Sequence, residues 1–147
     1  MVPGVYQQRI HQYKLTMSVA ASAPVQKAVA AYLASGAYPR HLRKVRRLYS
    51  QNVAAVSEAV GRCFPAGTRL TRPKGGFVLW AEVPQPFDSI RLYQDAQQEG
   101  ISVAPGPISS LCGKFALHLN AAVWSPEVAG AIETLGKLAR RQIEAAA

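Results

Sequence analysis

A chain of 147 residues, 49% hydrophobic and 17% charged, has the composition of a globular domain and excludes a disordered polymer. No run approaches the roughly 20 apolar residues that span a bilayer, and "MVPGVYQQRIHQYK" lacks the basic-then-apolar order of a secretory signal. A net charge of +9, with a pI near 10.0, leaves anionic partners open.

Taken in chain order, Tyr6, Ile10, Tyr13 and Met17 recur at helical spacing and predict an amphipathic helix near residues 5–18. "SAPVQKAVAAYLASG" predicts a second helix. Pro24 suits its first turn, Val25, Ala28, Val29, Tyr32 and Leu33 form its stripe, and Gly36 stops it. A longer third helix starts around Tyr38–Pro39 and keeps its period from Leu42 to Phe64, where Pro65 ends it. Arg40, Arg43, Lys44 and Arg47 share one face of this helix, with Arg46 beside them. They read first as a solvated face and second as contact with an acidic partner.

The pattern then changes. "TRLTRP" and "FVLWAEVP" are β-rich runs joined through Lys74-Gly75-Gly76, which predicts a hairpin. Asp88 caps a helix that ends at Gly100. "ISVAPG" and "ALHLNAA" are the third and fourth strands. Ser125-Pro126-Glu127 opens a final helix, with an N-cap, a proline in the first turn and an acid at the positive dipole end. The order α-α-α-β-β-α-β-β-α predicts an α+β fold: a small, mostly antiparallel sheet with helices packed on one face. The expectation is one domain over residues 1–147, helical through 64 and α/β over 65–147, and a fragment of a longer chain.

Few motifs carry chemistry. "GPISSLCGK" fails as a phosphate loop, because Ile108 and Phe115 stand where glycine and a hydroxyl residue are required. Ser109 and Ser110 have no nucleophile-elbow context. His11, His41 and His118 are far apart, and Cys63 and Cys112 form neither metal spacing nor a disulfide framework, so no metal site and a reduced, cytoplasmic setting are expected. Glu82 reads as an exposed strand residue. In the fourth strand, Phe115, Leu117, Leu119 and Ala121 form an apolar face, and Ala116, His118, Asn120 and Ala122 the other. Alternation alone leaves His118 as a satisfied core histidine, a solvent-facing one or the edge of a site.

Three segments, "RPKGGFVLWAEVP", "GISVAPG" and "ALHLNAAVWSPEVAGAIETLGKLAR", together resemble the C-terminal part of fold-type I pyridoxal-phosphate aminotransferases. "ASGAYPRHLRKVRRLYSQN" makes the chain most similar to the aminotransferase-like portion of the MocR subgroup of GntR-family transcriptional regulators. The likeness runs from about Arg9 to Arg141. It implies the C-terminal small domain of such a protein. The DNA-binding winged helix, the large domain and the cofactor lysine lie elsewhere in the longer chain, and Lys14 is an ordinary helix lysine.

The family's small domain usually supplies a strand arginine, in a Leu-Arg-Leu-Asn pattern, that clamps an α-carboxylate through its planar fork. Here the pattern is Leu117-His118-Leu119-Asn120. The resemblance places His118 and Asn120 at the effector or substrate position, with a histidine that lacks the fork. It makes Gly75, Gly76, Pro105 and Gly106 cleft-lining residues and assigns no catalytic residue to the chain.

The resemblance further implies pyridoxal phosphate in the full-length protein but none bound to this fragment. The implied partners are the chain's own large and DNA-binding domains, DNA through the latter, and a second copy in a homodimer, with no membrane. The function expected is effector sensing within a GntR/MocR-type regulator. A free-standing class I/II aminotransferase is the second reading, and a basic module that binds nucleic acid directly is the third. Whether the full-length protein is an enzyme is left open.

Overall fold

A computed structural model describes residues 4–17, 22–110 and 113–146, so Cys112 and Ser18 lie outside the described residues. Its helices are α1 (Gln7–Met17), α2 (Ala23–Ala34), α3 (Ala37–Cys63), α4 (Ser89–Gln98) and α5 (Pro126–Glu144). Its strands are β1 (Arg69–Leu70), β2 (Val78–Glu82), β3 (Ala104–Pro105) and β4 (Ala116–Asn120). The element order is the expected one. The chain forms two compact units, residues 1–43 and 44–147.

In the first unit, Gly36 adopts φ +70 just past the end of α2. The apolar stripes of α1 and α2 remain exposed: Tyr13 is 65% and Val25 61% accessible. These stripes have the helical period but contribute nothing to the buried core.

In the second unit, four strands form one antiparallel sheet in the order β1-β2-β4-β3. β2 and β4 sit in the centre, with Leu79 opposite Leu119 and Ala81 opposite Leu117. These four side chains face the helices and are almost wholly buried. They share one core with Val56 and Val60 of α3, Leu92 and Ala96 of α4, and Ile132, Leu135 and Ala139 of α5. Each fully buried leucine contributes about 1.5–3 kcal/mol relative to an exposed one.

The edge strands are shorter than their sequence runs. Pro105 ends β3, since proline has no N–H for a ladder. Past Leu70 the ladder closes through Thr71, whose N–H donates to the Trp80 carbonyl and whose hydroxyl accepts from the Trp80 N–H.

Three buried polar side chains are set into this core: Asn52, Ser89 and Gln142. Asn52 on α3 donates from Nδ2 to the Ala122 carbonyl at 2.9 Å, fixing the exit of β4 against the helix. Gln142 accepts from the Asp88 N–H through Oε1. Two close backbone approaches need glycine. A Cβ on Gly136 of α5 would stand 2.2 Å from the Cys63 carbonyl oxygen, and one on Gly106 would stand 2.1 Å from that of Gly113.

Both predicted caps form. The Asp88 side chain accepts from the N–H groups of Ile90 and Arg91, and Ser125 Oγ accepts from Val128 N–H. A hydrogen bond from Ser125 is the main influence holding the Glu127 carboxyl below its ordinary range, aided by the backbone at Glu127 itself. A depressed carboxyl adds stability above its unfolded pKa and loses it as pH falls through the folded one. Ser125→Ala is therefore expected to raise the Glu127 pKa toward its ordinary value and to cost about 1 kcal/mol through the lost cap. An NMR titration of the Glu127 carboxyl that is unchanged in the variant would contradict this.

Candidate functional site

The face of the sheet away from the helices carries Val78, Trp80 and Glu82 of β2, Ala116, His118 and Asn120 of β4, Ala104 of β3 and Arg69 of β1. Register alone fixes this membership. Trp80 pairs with His118, Ala104 also pairs with His118, and Glu82 lies between Arg69 and Ala116. The alternation seen in the sequence thus places Leu117 and Leu119 in the core and His118 on the opposite face.

His118 is half-buried, and its ring meets the Trp80 ring edge-on, with centroids 4.7 Å apart and planes at 88°. The Trp80 indole N–H donates to Glu82 Oε1 at 3.1 Å, which orients the ring. His118 Nε2 is buried and has no hydrogen-bond partner among the described residues. Buried polar atoms are nearly always satisfied; this nitrogen shares its unpartnered state with Ser89 Oγ and Gln142 Nε2 of the core. Two small residues flank the histidine on this face, Ala104 exposed and Ala116 buried.

His118 and Asn120 both border a recess of about 530 Å³ whose other walls include Ser102, Ala104 and Ser109 and, from the helix side, Val56, Leu119, Ile132 and Leu135. Asn120 is exposed, and its Oδ1 accepts from the Ala122 N–H at 2.8 Å, leaving its amide NH₂ available. The remaining sequence candidates lie apart. Gly75 and Gly76 line a different recess, beside α3. Pro105 is buried at the edge strand, facing Leu117. Gly106 is buried against Gly113, where it allows a backbone contact.

Trp80 is the residue that sequence reading passed over. Its signal was available in the alternation of β2, since a centrally paired strand puts Trp80 on the same face as His118.

No lysine borders the His118 recess, and Lys14 belongs to α1 in the other unit. The residues that line this recess do not by themselves make a site for pyridoxal phosphate. Among the described residues no group of histidine, cysteine, aspartate or glutamate has metal-binding geometry, and no helix is long and apolar enough to cross a membrane.

No family model matches the chain. It is 32% identical over 147 residues to the uncharacterized HTH-type transcriptional regulator YjiR of Escherichia coli (strain K12), covering 98% of this chain and 31% of that protein. It is 31% identical over 103 residues to the 2-aminoadipate transaminase of Thermus thermophilus, covering 68% of this chain and 26% of the enzyme. The chain therefore spans about a third or less of these relatives.

Among solved structures, the α-aminoadipate aminotransferase LysN of Thermus thermophilus, complexed with N-(5'-phosphopyridoxyl)-L-leucine, aligns with a TM-score of 0.80 at 28% identity. That alignment covers 94% of this chain and 36% of that one. A multiple substrate aminotransferase from Thermococcus profundus shares the fold with a TM-score of 0.84 at 19% identity, over 95% of this chain and 35% of that one. On this sequence likeness and this fold, the chain is an aminotransferase-like C-terminal small domain of the fold-type I class, of the kind carried by MocR-subgroup regulators of the GntR family.

Proposed function

We propose that this domain is the effector-facing part of a GntR/MocR-type, DNA-binding transcriptional regulator. The observation that carries the reading is the recess bordered by both His118 and Asn120, in a chain matching a regulator over 98% of its length. In the full-length protein a large domain would close over this recess and hold pyridoxal phosphate. An amino-acid-like effector would lie between the two domains, with His118 and Asn120 on its wall.

Effector binding would shift the two domains relative to each other, and a separate winged-helix domain would transmit that shift to DNA. The exposed stripes of α1 and α2 support a covering partner, since contiguous exposed apolar surface marks interfaces. We assign them to the remainder of the chain and to a second copy in a cytoplasmic homodimer.

A free-standing aminotransferase is the second reading, favoured by the 31% identity to the Thermus transaminase. The histidine in the clamping position weighs against it. An imidazole makes one hydrogen bond to a carboxylate where a guanidinium makes two, so α-carboxylate anchoring is weaker and effector choice shifts away from plain α-amino acids.

The test uses the full-length protein loaded with pyridoxal phosphate. Its affinity for DNA from its own promoter region is measured with and without a panel of amino acids. His118→Arg is expected to tighten α-amino-acid binding about tenfold, the gain of one charge-assisted hydrogen bond, and to carry that gain into the DNA response. Steady transamination without any DNA binding would favour the second reading. Identical amino-acid affinity in both proteins would make His118 an ordinary strand residue.

A further inference from the structure

A second recess lies between α3 and the turn that enters β2. It encloses about 510 Å³ and is bordered by Arg46, Tyr49 and Ser50 of α3 and by Lys74, Gly75 and Gly76 of the turn. Its charge is one-signed, for no acid lines it. Among the described residues no carboxylate comes within ion-pair reach of Arg46 or Lys74. The amide N–H groups of Lys74, Gly75 and Gly76 likewise find no acceptor there.

The turn is held in place from both sides. Tyr49 packs on the Phe77 ring with centroids 4.8 Å apart, and the Phe77 carbonyl accepts from the Ala121 N–H at 2.7 Å. Gly76 adopts φ +84, and a Cβ on either glycine would meet nothing within 4 Å. The glycines therefore keep a strip of backbone bare beside the recess.

Successive free N–H groups in a turn, two unpaired cations and the hydroxyls of Ser50 and Tyr49, which can donate as well as accept, gather donors in a recess lined by no carboxylate. Such a concavity suits an anion with several acceptor oxygens. The geometry points to a binding site for a phosphate group in this recess, recognised by Arg46, Lys74 and the Lys74–Gly76 amides. The ligand class is a small phosphate monoester or inorganic phosphate. The site is separate from the His118 face and does not depend on its role.

The test is an NMR titration of the 147-residue chain labelled with ¹⁵N-glycine, whose 11 glycines give few enough signals to assign. Inorganic phosphate, glycerol phosphate and a short DNA duplex are compared at matched ionic strength against sodium chloride. The Gly75 and Gly76 signals are expected to move saturably with the two phosphates. Lys74→Gln and Arg46→Gln should each weaken the response about fivefold, while the Gly106 and Gly136 signals, as reporters of the fold, stay in place. The proposal is overturned if chloride produces the same shifts, if the shifts do not saturate, or if both variants titrate like the parent. A response to DNA alone would overturn it too, by assigning the recess to nucleic acid. Saturation by glycerol phosphate at lower concentration than by inorganic phosphate would identify the monoester as the ligand; the reverse would identify the free ion.

Discussion

Leu117→Ala is expected to destabilise the domain by about 3–5 kcal/mol, and His118→Ala, one residue on, by only about 1 kcal/mol. The two side chains leave the same strand in opposite directions. Leu117 is 0% accessible and packs within the core formed by the sheet and helices. Truncating it removes apolar contacts and leaves a cavity that rigid elements cannot close. His118 loses only an edge-on contact with Trp80, and its deletion also removes a buried nitrogen that lacks a partner. Urea unfolding of both variants measures the contrast. Equal losses would mean that the outer face is packed as tightly as the core, and the open-cleft interpretation would fall.

The second large effect is expected at Gly136. Alanine there is expected to cost about 2 kcal/mol, although alanine is the better helix former by about 1 kcal/mol. The new methyl would press on the Cys63 backbone, at 2.2 Å from its oxygen and 2.7 Å from its carbon. A main-chain carbonyl at the end of α3 has no rotamer by which to move aside, so the two helices must separate. Gly130 supplies the internal control. It lies in the same helix with nothing within 4 Å of the added carbon, so Gly130→Ala is expected to stabilise by about 0.5–1 kcal/mol. Thermal or denaturant unfolding that moves both variants in the same direction would refute the close-approach argument.

These two cases mark what the sequence made legible. Periodicity carried the faces: the alternation in "ALHLNAA" separates Leu117 from His118, and the 3.6-residue repeat places Val56, Val60 and Ile132 toward the core. Local chemistry carried the ends of elements, through Asp88, Ser125 and Gly36. Contacts between distant segments were not legible. Nothing in the run around Gly136 shows that Cys63 will lie against it, and nothing around Asn52 shows that its amide meets Ala122.

Strand extent was overestimated where proline and edge position shorten pairing, as at Pro105. For the site, the family pattern located His118 on its strand. Its pairing with Trp80, and the separation of Gly75 and Gly76 into another recess, required the register and the turn. The stripes of α1 and α2 were read correctly as apolar and helical, yet their exposure could not be read from this sequence, because period reports a face and not what covers it.

The strand order also sets a timetable. The central pair, β2 with β4, joins segments between which the whole of α4 and β3 must first be made. β1 and β3 are edges that each lean on one of these two strands. A nascent chain that has exposed β1, β2 and β3 holds only a marginal two-stranded ribbon and an unpaired edge, with Leu79 and Ala81 open to solvent. Cooperative assembly waits for Ala116–Asn120 to leave the ribosome. Until then the sheet lacks its central partner, and non-local pairing of this kind forms more slowly than a hairpin-ordered sheet of the same size.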